Sequence, residues 1–398
     1  MRKKLLLFIS TLPIVLTASN SFEKALEEGQ FSANLRAFYL DRSFDEERTG
    51  KKNATALTAG GILKYESSKF HKLSFGLAHY SSTRLGNTFS REDGIGTNIL
   101  GRSGEDLSFL GEAYLKYDIG QTMIKAGRQQ LSTPLIQNHD LRLLPSVYEA
   151  VILQNKDLSN TLLEIGFIKS YTGFTSTENA FLDKKTGKNG LLYFSFSNKS
   201  VENLSIRGEY IDVLTDTIER ENYTYLDAEY RLALGRNSYV KGQFGTNGYK
   251  SSADSTVVGL KSGTTVGKFD LAILYNKISD NQFQAFESGP LYSDWQQGYG
   301  SFEASEAFGG QIIYKPLSTL SLQLGFVDVQ SDTNLLIDDF SELNLDLKYS
   351  INHWSKLRVR YSRKDQSSQS EALLFDTIEG NGGREDRDDF RIIYYVTF

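Results

Sequence analysis

The chain has 398 residues, with 34 Gly, 22 Tyr and 25 Phe but only 5 Pro, 2 Trp and no Cys, and 44 basic against 49 acidic residues leave a net charge of −5. Without Cys, disulfide scaffolds, thiolate zinc sites, iron–sulfur clusters and Cys nucleophiles are excluded, and four His residues (71, 79, 139 and 353) offer little for a histidine metal centre. No Lys/Arg cluster makes the footprint expected for a phosphate backbone, so nucleic acid is not an expected partner and no cofactor is implied.

At the N-terminus, Arg2, Lys3 and Lys4 precede an apolar run from Leu5 to Leu16 and the small residues Thr17, Ala18 and Ser19. This is the pattern of a secretory signal peptide over residues 1–18, and no later stretch approaches the ~20 apolar residues that a spanning helix needs. Residues 19–30 form a short segment ahead of the first strand, with Phe22 to Gly29 expected as a brief periplasmic helix.

From Phe31 to Phe398 the dominant pattern is period-2 alternation, the mark of strands with one apolar and one polar face. In 318–328, Leu320, Leu322, Leu324 and Phe326 share one face, and in 341–349 Leu343, Leu345, Leu347 and Tyr349 oppose Glu342, Asn344, Asp346 and Lys348. Eighteen candidate strands follow: 31–40, 55–66, 72–80, 109–118, 121–129, 147–155, 160–170, 190–198, 203–212, 222–233, 237–247, 255–262, 266–276, 305–315, 318–328, 341–350, 355–364 and 388–398. Their connections alternate between short turns, such as 118–121 and 315–318, and long loops, such as 81–108, 130–146, 171–189, 277–304 and 365–387. An even strand number with short turns opposite long loops is the layout of an all-β transmembrane antiparallel barrel in the bacterial outer membrane. The prolines at 13, 134, 145, 290 and 316 fall in the signal, in loops or in a turn, as full backbone pairing requires. The apolar faces are almost free of charge, Arg128 and Glu149 being the exceptions. A soluble propeller, solenoid or sandwich would also alternate, but would repeat at a fixed period, which this chain does not. A small filled barrel would need only about eight strands.

In a wide barrel the inward residues set selectivity. Arg358 and Arg360 face inward on the seventeenth strand, Arg391 on the eighteenth and Arg36 on the first, which closes against it; Lys348 and Lys356 lengthen this basic patch. Guanidinium groups grip carboxylates in a bidentate fork, and a row of them passes a solute from one to the next. The other inward charges, including Glu112, Lys116, Lys125, Glu164, Glu209, Asp227 and Glu229, are expected to line the lumen without a special role.

The segment Gly127-Arg128-Gln129, then Thr133-Pro134, then Asp140-Leu141-Arg142-Leu143-Leu144-Pro145, together with 58–85, 341–364 and the ending Arg391 to Phe398, resembles the OprD family of outer-membrane porins. His139, Leu141 and Ala150 depart from that family's pattern. The resemblance implies an 18-stranded channel for small, often carboxylate-bearing solutes, a third loop folded into the pore, a basic ladder on the late strands, and a terminal aromatic read by the barrel-assembly machinery. It also implies that Asn138, Asp140 and Arg142 face the ladder across the pore, where Asp140 would set up a transverse field suited to zwitterions such as amino acids. Expected partners are small anionic or zwitterionic solutes, outer-membrane lipid and lipopolysaccharide; a homotrimer is one assembly this reading admits. The competing functions are a barrel enzyme, for which Ser132, His139 and His353 lack a triad neighbourhood, and a structural or adhesive barrel without channel activity. A 22-stranded receptor would need a plug, for which no residues remain. Glu385-Asp386 and Asp388-Asp389 are expected in a solvated loop, with bridging of lipopolysaccharide by divalent ions as the sharper alternative.

Overall fold

The computed structural model describes residues 21–44, 52–138, 142–172, 181–182, 186–214, 220–233, 237–283, 289–296, 304–331, 339–366 and 386–398. The signal-peptide reading, His139, Asp140, Leu141 and Glu385 therefore lie outside the described residues.

A short helix, α1 (Phe22–Glu27), is followed by eighteen strands. The first nine are β1 (Gln30–Phe44), β2 (Ala54–Glu66), β3 (Leu73–Arg84), β4 (Leu107–Ile119), β5 (Thr122–Gln129), β6 (Tyr148–Asn155), β7 (Thr161–Tyr171), β8 (Leu191–Asn198) and β9 (Leu204–Val213). The second nine are β10 (Arg220–Arg231), β11 (Tyr239–Tyr249), β12 (Ser255–Val266), β13 (Phe269–Ser279), β14 (Ser305–Leu317), β15 (Leu320–Ser331), β16 (Phe340–Ser350), β17 (Ser355–Gln366) and β18 (Arg387–Thr397). Each pairs antiparallel with its sequence neighbours, and β1 pairs with β18 over Asn34 to Phe44, so the sheet closes into a barrel with no free edge. Closure matters because an unpaired edge in hydrocarbon would leave N–H and C=O groups unsatisfied.

The alternation translates directly into two surfaces. Leu115, Ile165, Leu260, Ile273, Phe308 and Phe326 point outward and are exposed, forming the apolar band that faces lipid. The opposite face of each strand points into the lumen, where polar and charged side chains mix with aromatics that pack under inserted loops. At the short-turn end, Asn160, Asn203 and Asn237 take positive φ, a conformation asparagine tolerates better than most residues. Helix α1 is capped by Ser21, whose hydroxyl accepts from the Lys24 N–H at 3.1 Å, and it rests on the barrel rim. There Ser68 N donates to Ala25 O at 3.0 Å and Tyr65 OH to Leu26 O at 2.6 Å.

Two expectations need correction. Pro316 sits inside β14 rather than in a turn, at a register irregularity between Tyr314 and Leu317, where the ladder does not require its missing N–H. Asp389 is not in a solvated loop: β18 begins at Arg387, and Asp389 points into the lumen with no exposed surface. The outward charges Arg128 and Glu149 pair at 2.9 Å; Ser170 Oγ donates to the same carboxylate at 2.5 Å, and Phe181 covers the guanidinium with its ring centre 4.3 Å away.

Candidate functional site

The lumen faces of β16, β17, β18 and β1 form one continuous basic wall. Along it lie Lys348 on β16, Arg358, Arg360 and Lys364 on β17, Arg387 and Arg391 on β18, and Arg36 and Arg42 on β1. The strand register sets like charges directly opposite each other three times: Lys348 faces Arg358, Arg360 faces Arg391, and Lys364 faces Arg387. Like charges opposed across a ladder are destabilising, so a wall selected for stability alone would not be built this way.

Two carboxylates are set among these cations. Asp389 binds Arg42 through both oxygens at 2.7 and 3.0 Å, accepts from Arg391 Nη2 at 2.6 Å and lies 3.8 Å from Arg387 Nε. Asp346 accepts from Arg358 Nε at 2.9 Å, with Lys348 Nζ at 3.6 Å and Arg360 Nε at 3.8 Å. Between the two acids, Arg360 Nε and Nη1 and Arg391 Nε are buried from bulk solvent and find no hydrogen-bond partner among the described residues. Unsatisfied guanidinium donors at this depth favour an anion beside them.

Of the residues singled out from sequence, Arg36, Lys348, Arg358, Arg360 and Arg391 all stand on this wall. Arg36 is engaged: its Nη1 donates to the Arg142 carbonyl at 2.7 Å and its guanidinium lies 5.1 Å from the Tyr395 ring centre. Arg142 is brought to the same place by the third long loop, residues 130–147. Burial first, then the charges of Arg391 and Arg42, hold the Arg142 guanidinium well below its ordinary value, a sign of how little these surroundings favour one more cation. Sequence reading missed Arg42, Lys364, Arg387, Asp346 and Asp389 as members. Strand parity could have found them, since Asp346 lies two residues from Lys348, and Arg387 and Asp389 continue the parity of Arg391.

The third loop dips into the lumen. Leu131, Leu135 and Ile136 pack with Tyr148, Tyr193, Ile211 and Tyr225 of the wall, while Leu143 packs with Phe38, Leu40 and Ile393. Internal bonds hold its limbs: Ser146 N to Asn138 O at 2.6 Å, Tyr148 OH to Gln137 O at 2.6 Å, and Asn138 Nδ2 to Gln130 Oε1 at 2.9 Å.

A second insertion, not anticipated from sequence, comes from the loop between β13 and β14. Its Ser293 donates N–H and hydroxyl to Asn276 Oδ1 at 3.1 and 2.9 Å. Gln296 then reaches the basic wall, with N to Glu342 Oε1 at 3.1 Å and Nε2 to Ser362 Oγ at 2.6 Å. The aromatics of this loop need space on the wall, and two lumen-facing glycines provide it. A Cβ on Gly245 would sit 2.7 Å from the Phe283 ring, and one on Gly325 2.7 Å from the Trp295 indole.

A closed barrel of eighteen strands, apolar outside, charged within and narrowed by loops folded into its lumen, is a transmembrane pore of the porin class. The family model described as "outer membrane porin, OprD family" matches residues 23–315, and the chain belongs to that family. It is an outer-membrane channel and not an enzyme. In fold it is similar to Pseudomonas aeruginosa OccK9 (OpdG), with TM-score 0.78, 17% identity, and coverage of 94% of this chain and 100% of that one. Acinetobacter baumannii OccAB3 has TM-score 0.78 and 14% identity over 94% and 99% of the two chains, and Pseudomonas aeruginosa OpdQ has TM-score 0.74 and 18% identity over 94% and 99%. No curated protein matches the chain in sequence.

Proposed function

We propose that this porin passes small carboxylates and amino acids selectively, by passive diffusion along the basic wall. Arg391, Arg360, Arg358 and Lys348 are successive stations for the carboxylate, Arg36 and Arg142 carry it past the third loop, and Asp140 of that loop receives the ammonium of a zwitterion. The observation that carries this reading is the pair Arg360 and Arg391, directly opposed, buried, and with guanidinium nitrogens that make no hydrogen bond among the described residues, between Asp346 and Asp389. Each acid takes up part of the charge of its neighbours, so binding at every station stays weak enough for release, as conduction requires. Phe398, exposed at the end of the closing strand, is the residue we assign to recognition by the barrel-assembly machinery.

The test is single-channel recording of the refolded protein in planar bilayers, with reversal potentials under a salt gradient and competition by a panel of carboxylates and amino acids. Anion preference and block by a monocarboxylate are the expected results. In R358A/R360A the blocking concentration rises roughly tenfold, the factor that ~1.4 kcal/mol of binding supplies. A cation-preferring pore, or block unchanged in the double variant, overturns the proposal.

A further inference from the structure

Behind the third loop, on the far side of the lumen from the basic wall, the register lines up Glu164 on β7, Ser195 on β8 and Glu209 on β9. Both carboxylates are buried, with 6% and 3% of their surface exposed, and neither has a Lys or Arg partner among the described residues. They nevertheless do different things. Glu164 is bound wholly within the wall, by the Tyr193 hydroxyl at 2.6 Å and by Gln154. Glu209 is bound to the loop: Thr133 Oγ1 donates to Oε1 at 2.7 Å and Leu135 N to Oε2 at 2.6 Å.

The loop is also tied on its other limb, where Arg36 Nη1 donates to Arg142 O. In the closed order of eighteen strands, β1 and β9 stand eight apart one way and ten the other, so the two ties lie on nearly opposite walls. We infer that Glu209 and Arg36 are a pair of clasps that stretch the third loop across the lumen, and that Glu209 is thereby a positioning residue for the constriction, setting its width without touching the solute. A carboxylate suits this task because both of its oxygens accept. The Leu135 N–H can only donate, and the Thr133 hydroxyl, which accepts from Ile136 N at 3.0 Å, has its proton closer to Glu209 Oε1 at 2.7 Å than to its other acceptor, Ile136 O, at 3.2 Å. An amide in place of the carboxylate turns a donor toward Thr133, so that the hydroxyl must give up its bond to residue 209 and turn its proton to Ile136 O, and the charge assistance of both bonds is lost.

The inference rests on the pore reading and is independent of which solute passes. The two acids form a matched pair for its test: E209Q and E164Q, each refolded as the full chain and recorded in planar bilayers beside the parent protein. Folding is checked by the shift in gel mobility between heated and unheated samples. The expected result is that E209Q moves the unitary conductance and the reversal potential and adds subconductance steps, while E164Q retains the parent's values. If E209Q does not fold, T133V, which removes the hydroxyl from the loop side, decides in its place and is expected to show the same steps. Parental conductance and reversal potential in folded E209Q or T133V overturn the inference, as does an equal change in E164Q, which would place the effect in the wall. A parent protein that folds but conducts nothing would instead defeat the pore reading itself.

Discussion

The two sides of the lumen treat charge in opposite ways. On β10 two acids each meet a base from a neighbouring strand: Arg207 of β9 grips Asp227 at 3.1 and 2.7 Å, and Lys241 Nζ of β11 lies 2.5 Å from Glu229, while Glu209 of β9 is bound instead by the third loop. On β16 to β1, cations outnumber carboxylates and are set against each other across the ladder. The first arrangement is what stability alone produces in a polar lumen. The second sets cations against one another at a cost in stability, and the proposal that this side handles solute rests on that contrast.

The largest effect is expected at Asp389. With no exposed surface and three arginines around it, it is the counter-ion that makes the upper part of the basic wall tolerable. Neutralising it in D389N leaves Arg42, Arg387 and Arg391 facing one another in a buried setting, and removing one partner from such a cluster costs about 3 kcal/mol or more. Guanidinium or urea unfolding in detergent should show a clear fall in midpoint. An unchanged midpoint would mean that solvent in the lumen screens this cluster, and the contrast between the walls would lose its energetic basis.

A smaller effect, but one of opposite sign on the two walls, is expected when an arginine becomes methionine. R207M leaves the buried Asp227 without its bidentate partner and should destabilise by about 1–3 kcal/mol, although Arg207 itself is half exposed to lumen water. R360M removes one of two opposed guanidiniums, while Asp346 keeps Arg358, and should leave stability unchanged or raise it by up to about 1 kcal/mol. The pair of unfolding curves breaks the comparison if both variants move the same way.

Much of this was legible in the sequence because period-2 alternation is forced by the pleat and by the demand for one apolar face. All eighteen strands were found at nearly the observed places, and parity alone put Arg36, Lys348, Arg358, Arg360 and Arg391 on the lumen side. What failed did so for a shared reason. The alternation places the end of β1 at residue 40 and the start of β18 at residue 388, short of Arg42 and Arg387, whereas both lie within their strands, since a water-filled barrel allows charged residues well inside a strand. The insertion of the β13–β14 loop was illegible for a different reason. Phe283, Leu291, Tyr292 and Trp295 have no period, and the glycines that receive two of their rings are far away in sequence, on β11 and β15.

Those glycines give the last and smallest prediction. The third loop is held to its walls by hydrogen bonds it donates to Glu209 and accepts from Arg36, whereas the β13–β14 loop is seated partly by shape, the six-membered ring of Trp295 lying against the bare backbone of Gly325. Adding one methyl group in G325A places an atom 2.7 Å from the indole, so the ring must move by several tenths of an ångström, and the bonds from Gln296 to Glu342 and Ser362 begin one residue away. Because the ring is at a loop and can yield, the cost to stability should stay below about 1 kcal/mol. The unitary current should nevertheless change, because Gln296 touches the basic wall beside Arg360 and Lys364. Recording G325A beside G245A separates the two seats: the alanine under Phe283 lies away from the basic wall and should leave anion preference unaltered. If G325A behaves like G245A in reversal potential, the β13–β14 loop narrows the lumen without contributing to the choice of ion.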